Sequence, residues 1–169
     1  MPTSLDTFYQ TVAQLCFTLL GLWWLVLQTK YAEWIGNPQR RRMATNISLY
    51  FLLPGSMSLV ALLAAQTRPL WQVAFLIASG IGVVETLFLL RSSVRKSATL
   101  VSRTLPWFGA ALYALIVLAA LLPGVPQRYG VAPLTVAGVM LTLLIVLGVS
   151  LAWRFFIEPR PDDALKTLP

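Results

Sequence analysis

The chain has 169 residues, 57% of them hydrophobic and 11% charged, which is roughly half the charged share of an ordinary soluble domain. Its apolar residues stand in long blocks separated by short polar ones, a pattern that excludes a water-soluble fold and indicates bilayer spans. The net charge of +7, from 13 Lys and Arg against 6 Asp and Glu, is carried in short segments beside those blocks, so it points to an anionic membrane surface and not to nucleic acid.

Five stretches, 7–27, 47–65, 70–90, 105–122 and 131–153, are long enough for a hydrocarbon core that takes roughly 17 to 25 helical residues. Lone strands would leave backbone groups unpaired in lipid, so the predicted fold is all-α. The expectation is one five-helix transmembrane domain over 1–157 and a short cytoplasmic tail over 158–169. With the N-terminus outside, eleven basic residues between Lys30 and Lys166 fall on the inner side, and only Arg68 and Arg128 fall outside. That split predicts a cytoplasmic C-terminus and a multi-pass protein of a prokaryotic cytoplasmic membrane.

In the first span Thr7, Thr11, Gln14, Thr18 and Gly21 alternate four and three residues apart. This places them on one face, expected to turn toward the other helices, either as packing contacts or as a hydrophilic wall with Gln14 and Thr18 at its centre. Segment 30–45 follows as a basic inner loop, in which Arg40, Arg41 and Arg42 are candidates for contact with headgroups or an acidic partner. The second span holds Pro54, which removes a helical hydrogen bond, so a kink is expected with Ser56 or Ser58 helping to satisfy freed backbone groups. Pro54 and Ser58 are candidates for a binding point or hinge.

The turn 66–69 is too short to separate the second and third spans, which predicts an antiparallel hairpin. On the third span Ala74, Ala78, Gly82 and Glu85 form one stripe, expected to meet another helix and to put the carboxyl inside the bundle. Glu85 is the one acidic residue within a predicted span, which makes it the leading functional candidate. The competing reading is a structural ion pair, because Arg42, Arg91 and Arg103 belong to the same boundary. Segment 92–104 adds Arg95 and Lys96 to the inner basic surface. The fourth and fifth spans carry the close-approach pairs Ala110 with Ala114 and Gly138 with Thr142, and pair as a second hairpin across 123–130. Two sets of aromatic residues read as interfacial anchors: Tyr50, Phe51, Trp107, Trp153, Phe155 and Phe156 inside, and Phe8, Tyr9, Trp71 and Tyr129 outside.

Function is constrained mainly by exclusion. The sequence has no histidine, which removes histidine-ligated haem, histidine-containing zinc sites and histidine general bases. Its single cysteine, Cys16, allows no intrachain disulfide and no cysteine metal cage. Without paired intramembrane carboxylates an enzyme is not expected, and neither a cofactor nor a metal is. The expectation is a non-catalytic accessory, scaffold or assembly subunit acting through helix packing, partnered by anionic lipid and by a second copy or another membrane protein. The alternative is a homo-oligomeric channel or transporter for an ion or small solute, with Glu85 as its intramembrane ionisable site.

Overall fold

A peptide group surrounded by hydrocarbon must find its hydrogen-bond partner within its own segment, and a helix is how a single segment does so. The computed structural model describes residues 4–29, 38–63, 68–93 and 100–157, and among these every element is helical. The elements are α1 (Ser4–Thr29), α2 (Pro38–Leu63), α3 (Arg68–Ser93), α4 (Leu100–Leu121), α5 (Gly124–Arg128) and α6 (Pro133–Ile157). Four stretches are long and apolar enough to span a bilayer: Ser4–Thr29, Arg40–Leu63, Leu70–Phe88 and Pro133–Ile157. Four such helices are the signature of a multi-pass membrane protein. α4 has 22 residues, with a shorter apolar stretch over Trp107–Leu121.

The second helix starts well before its apolar block. Proline is tolerated at a first helical position, and α2 begins at Pro38. From there Ala44, Asn46 and Ile47 are already buried. The basic stretch expected to be loop up to residue 45 is therefore helical from Pro38 onward, so its arginines ride on a rigid element. The connection before α6 also has a defined ending. Gly130 takes a left-handed φ of 70°, its N–H donates to Gln127 O at 3.0 Å, and Val131 N–H donates to Pro126 O at 3.1 Å. This is the glycine-terminated Schellman arrangement, and it stops α5 after little more than one turn.

α2, α3, α4 and α6 form a ring, each packed on the next and α6 closing back on α2. α1 lies outside that ring, packed along α2 with a lesser contact to α6. Tyr50, Met57, Phe75, Tyr113, Ile116 and Leu141 fill the centre. Lipid tails are as apolar as these side chains, so burial does not hold the ring together; close fit does. The fit depends on aromatic rings seated where a neighbouring helix has no side chain. A Cβ at Gly82 would lie 2.6 Å from the Tyr113 ring, one at Gly148 would lie 2.9 Å from Tyr50 Cβ, and one at Gly109 would meet the Tyr50 hydroxyl.

Near the start of α2 a second cluster joins α1, α2 and α6. Trp23 packs edge-on against Phe155 with centroids 5.5 Å apart, and its indole N–H reaches Ser48 Oγ at 3.1 Å and Ala44 O at 3.3 Å. The aromatic residues read as interfacial anchors divide accordingly. Trp107, Trp153, Phe156 and Tyr129 are exposed, while Tyr9, Tyr50, Phe51, Trp71 and Phe155 are buried core. Core positions near helix ends have the same composition as a belt, and only the packing distinguishes them. Pro54 sits inside an unbroken α2. The neighbouring serines do not serve the Tyr50 carbonyl that its missing N–H leaves over: Ser56 Oγ donates to Leu53 O at 2.9 Å and Ser58 Oγ to Pro54 O at 2.8 Å.

The seating of Tyr113 can be tested with a neighbouring control. Gly82→Ala forces the ring or α3 to shift and should cost about 1–3 kcal/mol, read as a lower thermal unfolding temperature in mild detergent. Gly80→Ala, whose added Cβ meets nothing within 4 Å, should leave that temperature unchanged or raise it.

Candidate functional site

At the end of the bundle where α2 begins, α2 and α3 enclose a groove of about 410 Å³. α2 contributes Pro38, Arg41, Arg42 and Thr45, and α3 contributes Glu85 and Phe88. Helical spacing explains both sets. Residues three, four and seven apart share a face, which aligns the α2 residues, and Glu85 and Phe88 are one turn apart on α3. Glu85 is half-buried, whereas Arg41, Arg42 and Thr45 are exposed. The carboxyl expected inside the bundle therefore lies at its edge. The innermost α3 stripe is Phe75, Ser79, Gly82 and Thr86, all buried, whereas Ala74, Ala78 and Glu85 are only half-buried. The small-residue stripe was displaced by about one residue because Ser79 and Thr86 are polar and look unsuited to a core facing lipid.

Two guanidinium groups and one carboxylate give the groove a net positive charge, and among the described residues neither arginine forms an ion pair with Glu85. The Thr45 hydroxyl donates to Arg41 O at 3.1 Å, so its oxygen can still accept. Arg40 points elsewhere, with its guanidinium carbon 5.8 Å from the centroid of the Phe155 ring. Arg95 and Lys96 lie outside the described residues. Sequence reasoning singled out Glu85 and the arginines separately but had no signal for Pro38, Thr45 and Phe88, because the helical start of α2 was read as loop.

The first-span polar face is a correction. Thr7, Thr11, Gln14, Thr18 and Gly21 are all exposed, and the buried face of α1 is Tyr9, Val12, Ala13, Cys16, Leu20 and Trp23. The polar residues point away from the other helices because the bulkier side of α1 makes the closer fit to α2 and α6. Two threonines are satisfied within the helix, Thr11 Oγ1 donating to Thr7 O at 2.9 Å and Thr18 Oγ1 to Gln14 O at 2.8 Å. The Gln14 amide has no such bond among the described residues. Pro54 and Ser58, by contrast, are buried in the core and line neither feature.

A third polar feature was not anticipated. Among the described residues the hydroxyls of Ser79 and Tyr113 are buried without a hydrogen-bond partner, and the buried Tyr50 hydroxyl has Thr86 beside it. The two tyrosine rings lie 5.9 Å apart, and Thr86, beside them, spends its own hydroxyl on Gly82 O at 2.7 Å. Among the described residues no group of histidine, cysteine and acidic side chains is placed to hold a metal ion. No known protein family matches the sequence, and neither a curated protein nor a solved structure is detectably similar to it.

The tyrosines make a paired prediction. Tyr9 OH donates to Leu134 O at 2.6 Å and ties α1 to α6, so Tyr9→Phe should destabilise the protein by about 0.5–1.5 kcal/mol. Tyr113→Phe removes a hydroxyl that is desolvated without compensation among the described residues and should be neutral or stabilising. Thermal unfolding of the two variants in one detergent compares them.

Proposed function

We propose that this protein is a non-catalytic membrane subunit that acts by helix assembly, with the outward face of α1 as its docking surface and a second copy of the chain as the occupant. The observation that carries this reading is the exposure of the Gln14 side chain near the middle of a helix of 26 residues. An unpaired amide in hydrocarbon costs several kcal/mol, and another helix relieves that cost.

The spacing supports a helix as the occupant. Thr7, Thr11, Gln14, Thr18, Gly21, Leu25 and Gln28 follow the alternating four and three of a left-handed helix pair, and all are exposed. Gly21 adds an independent sign. Among the described residues of the spans a Cβ at Gly21, as at Gly80, would meet nothing within 4 Å, whereas Gly55, Gly82, Gly109, Gly138 and Gly148 each have a neighbour of the same chain against the missing side chain; of these two open glycines Gly21 is the one on the Gln14 face. Glycine lowers helix stability by roughly 1 kcal/mol relative to alanine, and on this seam it permits close approach from outside. Chemistry favours an identical partner. Two copies inserted in the same orientation, related by a two-fold axis along the membrane normal, bring Gln14 to Gln14 at equal depth, and a primary amide both donates to and accepts from its own kind.

In this reading the chain crosses the membrane five times, with α4, about 33 Å long at 22 residues, as the fourth span. Its N-terminus lies outside and its C-terminus in the cytoplasm of a prokaryotic cell, as the basic residues favour. A second reading, a homo-oligomeric channel or transporter using Glu85, draws on the same outward face: in one copy that face lines nothing, so a polar path would exist only between copies.

Cysteine cross-linking tests the dimer against little background, since the single native thiol, Cys16, is fully buried. In membranes Thr18→Cys should form a disulfide-linked dimer and Val149→Cys, exposed on α6, should not. Gln14→Leu should weaken association by about 1–2 kcal/mol, roughly tenfold, measured by single-molecule photobleaching over a range of protein-to-lipid ratios. A population that stays monomeric at high density overturns the proposal. Reconstituted vesicles should show no ion flux. A flux that Glu85→Gln abolishes would establish the transporter reading in its place.

A further inference from the structure

We propose that the groove between α2 and α3 is a headgroup site for a phospholipid bearing both a phosphate and a primary ammonium, the chemistry of phosphatidylethanolamine. This site is separate from the α1 surface and does not depend on the assembly it mediates. Arg41 and Arg42 receive the phosphate, Glu85 receives the ammonium, Phe88 flanks the headgroup, and Val84 and Ile81 meet the acyl chains.

The charges select the ligand class. A purely anionic group drawn in by two guanidiniums would have to settle beside a carboxylate, and a cation drawn by Glu85 would lie beside two arginines. A zwitterion places each charge against its opposite. Because the arginines and Glu85 are not paired with one another among the described residues, no internal ion pair must break when a ligand enters. Guanidinium and phosphate match in geometry and bond in pairs. The oxygen of Thr45, whose proton is already given to Arg41 O, is a neutral acceptor for a further ammonium N–H.

The location separates a lipid from a soluble zwitterion. One apolar span begins at Arg40, so Arg41 and Arg42 stand at its entrance and the groove they line lies beside headgroup depth. Its volume of about 410 Å³ falls in the range of roughly 300–1,000 Å³ usual for small-ligand sites. Deeper than Glu85, α3 presents Val84 and Ile81 outward, 51% and 46% exposed. This apolar track leads from the groove along the lipid-facing side, where acyl chains can lie.

The test uses the full chain, purified in mild detergent and stripped of lipid, titrated with three diacyl lipids under native mass spectrometry. Phosphatidylethanolamine should bind about tenfold tighter than phosphatidylcholine, whose methylated nitrogen has no N–H to offer Glu85, and about tenfold tighter than phosphatidylglycerol, which has no cation. Glu85→Gln should reduce phosphatidylethanolamine to the level of phosphatidylglycerol without weakening the latter, and Arg41→Gln with Arg42→Gln should weaken both. Equal binding of the three lipids by the native chain overturns the proposal even if no variant folds. A preference for phosphatidylethanolamine that survives in Glu85→Gln also overturns it. Competition by soluble phosphoethanolamine at equal concentration would reassign the groove to a water-borne zwitterion and overturn the lipid assignment.

Discussion

The fold depends on rings standing where glycines leave room. In water a bundle can be held by burial alone, and a loose fit costs part of its stability. In lipid the medium outside is as apolar as the core, so helices stay together only through close contact and satisfied polar groups. Tyr113 against Gly82, Tyr50 against Gly109 and Gly148, and Cys16 against Gly55 with its Cβ 3.0 Å from the added position provide that contact at several levels of the bundle. Each sets the distance between two helices. Tyr50 on Gly109 and Tyr113 on Gly82 hold α2 and α3 to the same helix, α4, and the outward turn of α1 follows from Cys16 and Trp23 being fitted inward.

That dependence explains which features were legible in sequence. Apolar block length identified the helices, because the bilayer imposes it on every segment alike. Of the small residues expected at packing positions, Gly82 and Gly138 turn to neighbours, whereas Ala114 and Thr142, the second members of their pairs, are exposed. Rotation about the helix axis was not legible. Periodicity gives the members of a face, and the direction of that face is inferred from hydrophobicity, which in a membrane does not distinguish core from lipid. So the threonine and glutamine stripe of α1 was turned inward when it faces out, and the seam on α3 was centred near Ala78 when Ser79 is the fully buried residue. Charged residues were located better, because Glu85, Arg41 and Arg42 are confined to helix ends by the cost of depth. Their convergence still needed the knowledge that α2 begins at Pro38.

The same chemistry is handled in opposite ways inside the ring and on α1. Inside, the hydroxyls of Ser79 and Tyr113 are left without partners among the described residues, a cost tolerated at Tyr113 because its ring fits closely against Gly82. Shape has been chosen over polar satisfaction there. On α1 Thr11 and Thr18 return their protons to their own helix, whereas the Gln14 amide, nearer the middle of the helix than Gln10 or Gln28, keeps its bonding capacity.

A ring of four helices with a fifth outside it also divides stability from recognition. α2, α3, α4 and α6 close on one another, so their contacts do not need the outer face of α1. α1 is held by its inner face, by Tyr9 OH on Leu134 O and by Trp23 among α2 and α6. Its outer face can therefore vary in sequence at little cost to the ring, and in the proposed dimer its polar residues are what the second copy meets. The groove has a different standing, because Arg41 and Glu85 sit on two ring helices, α2 and α3. A ligand bridging them stabilises the contact between those helices. It links the headgroup composition of the surrounding membrane to the stability of the ring and leaves the α1 surface independent of it.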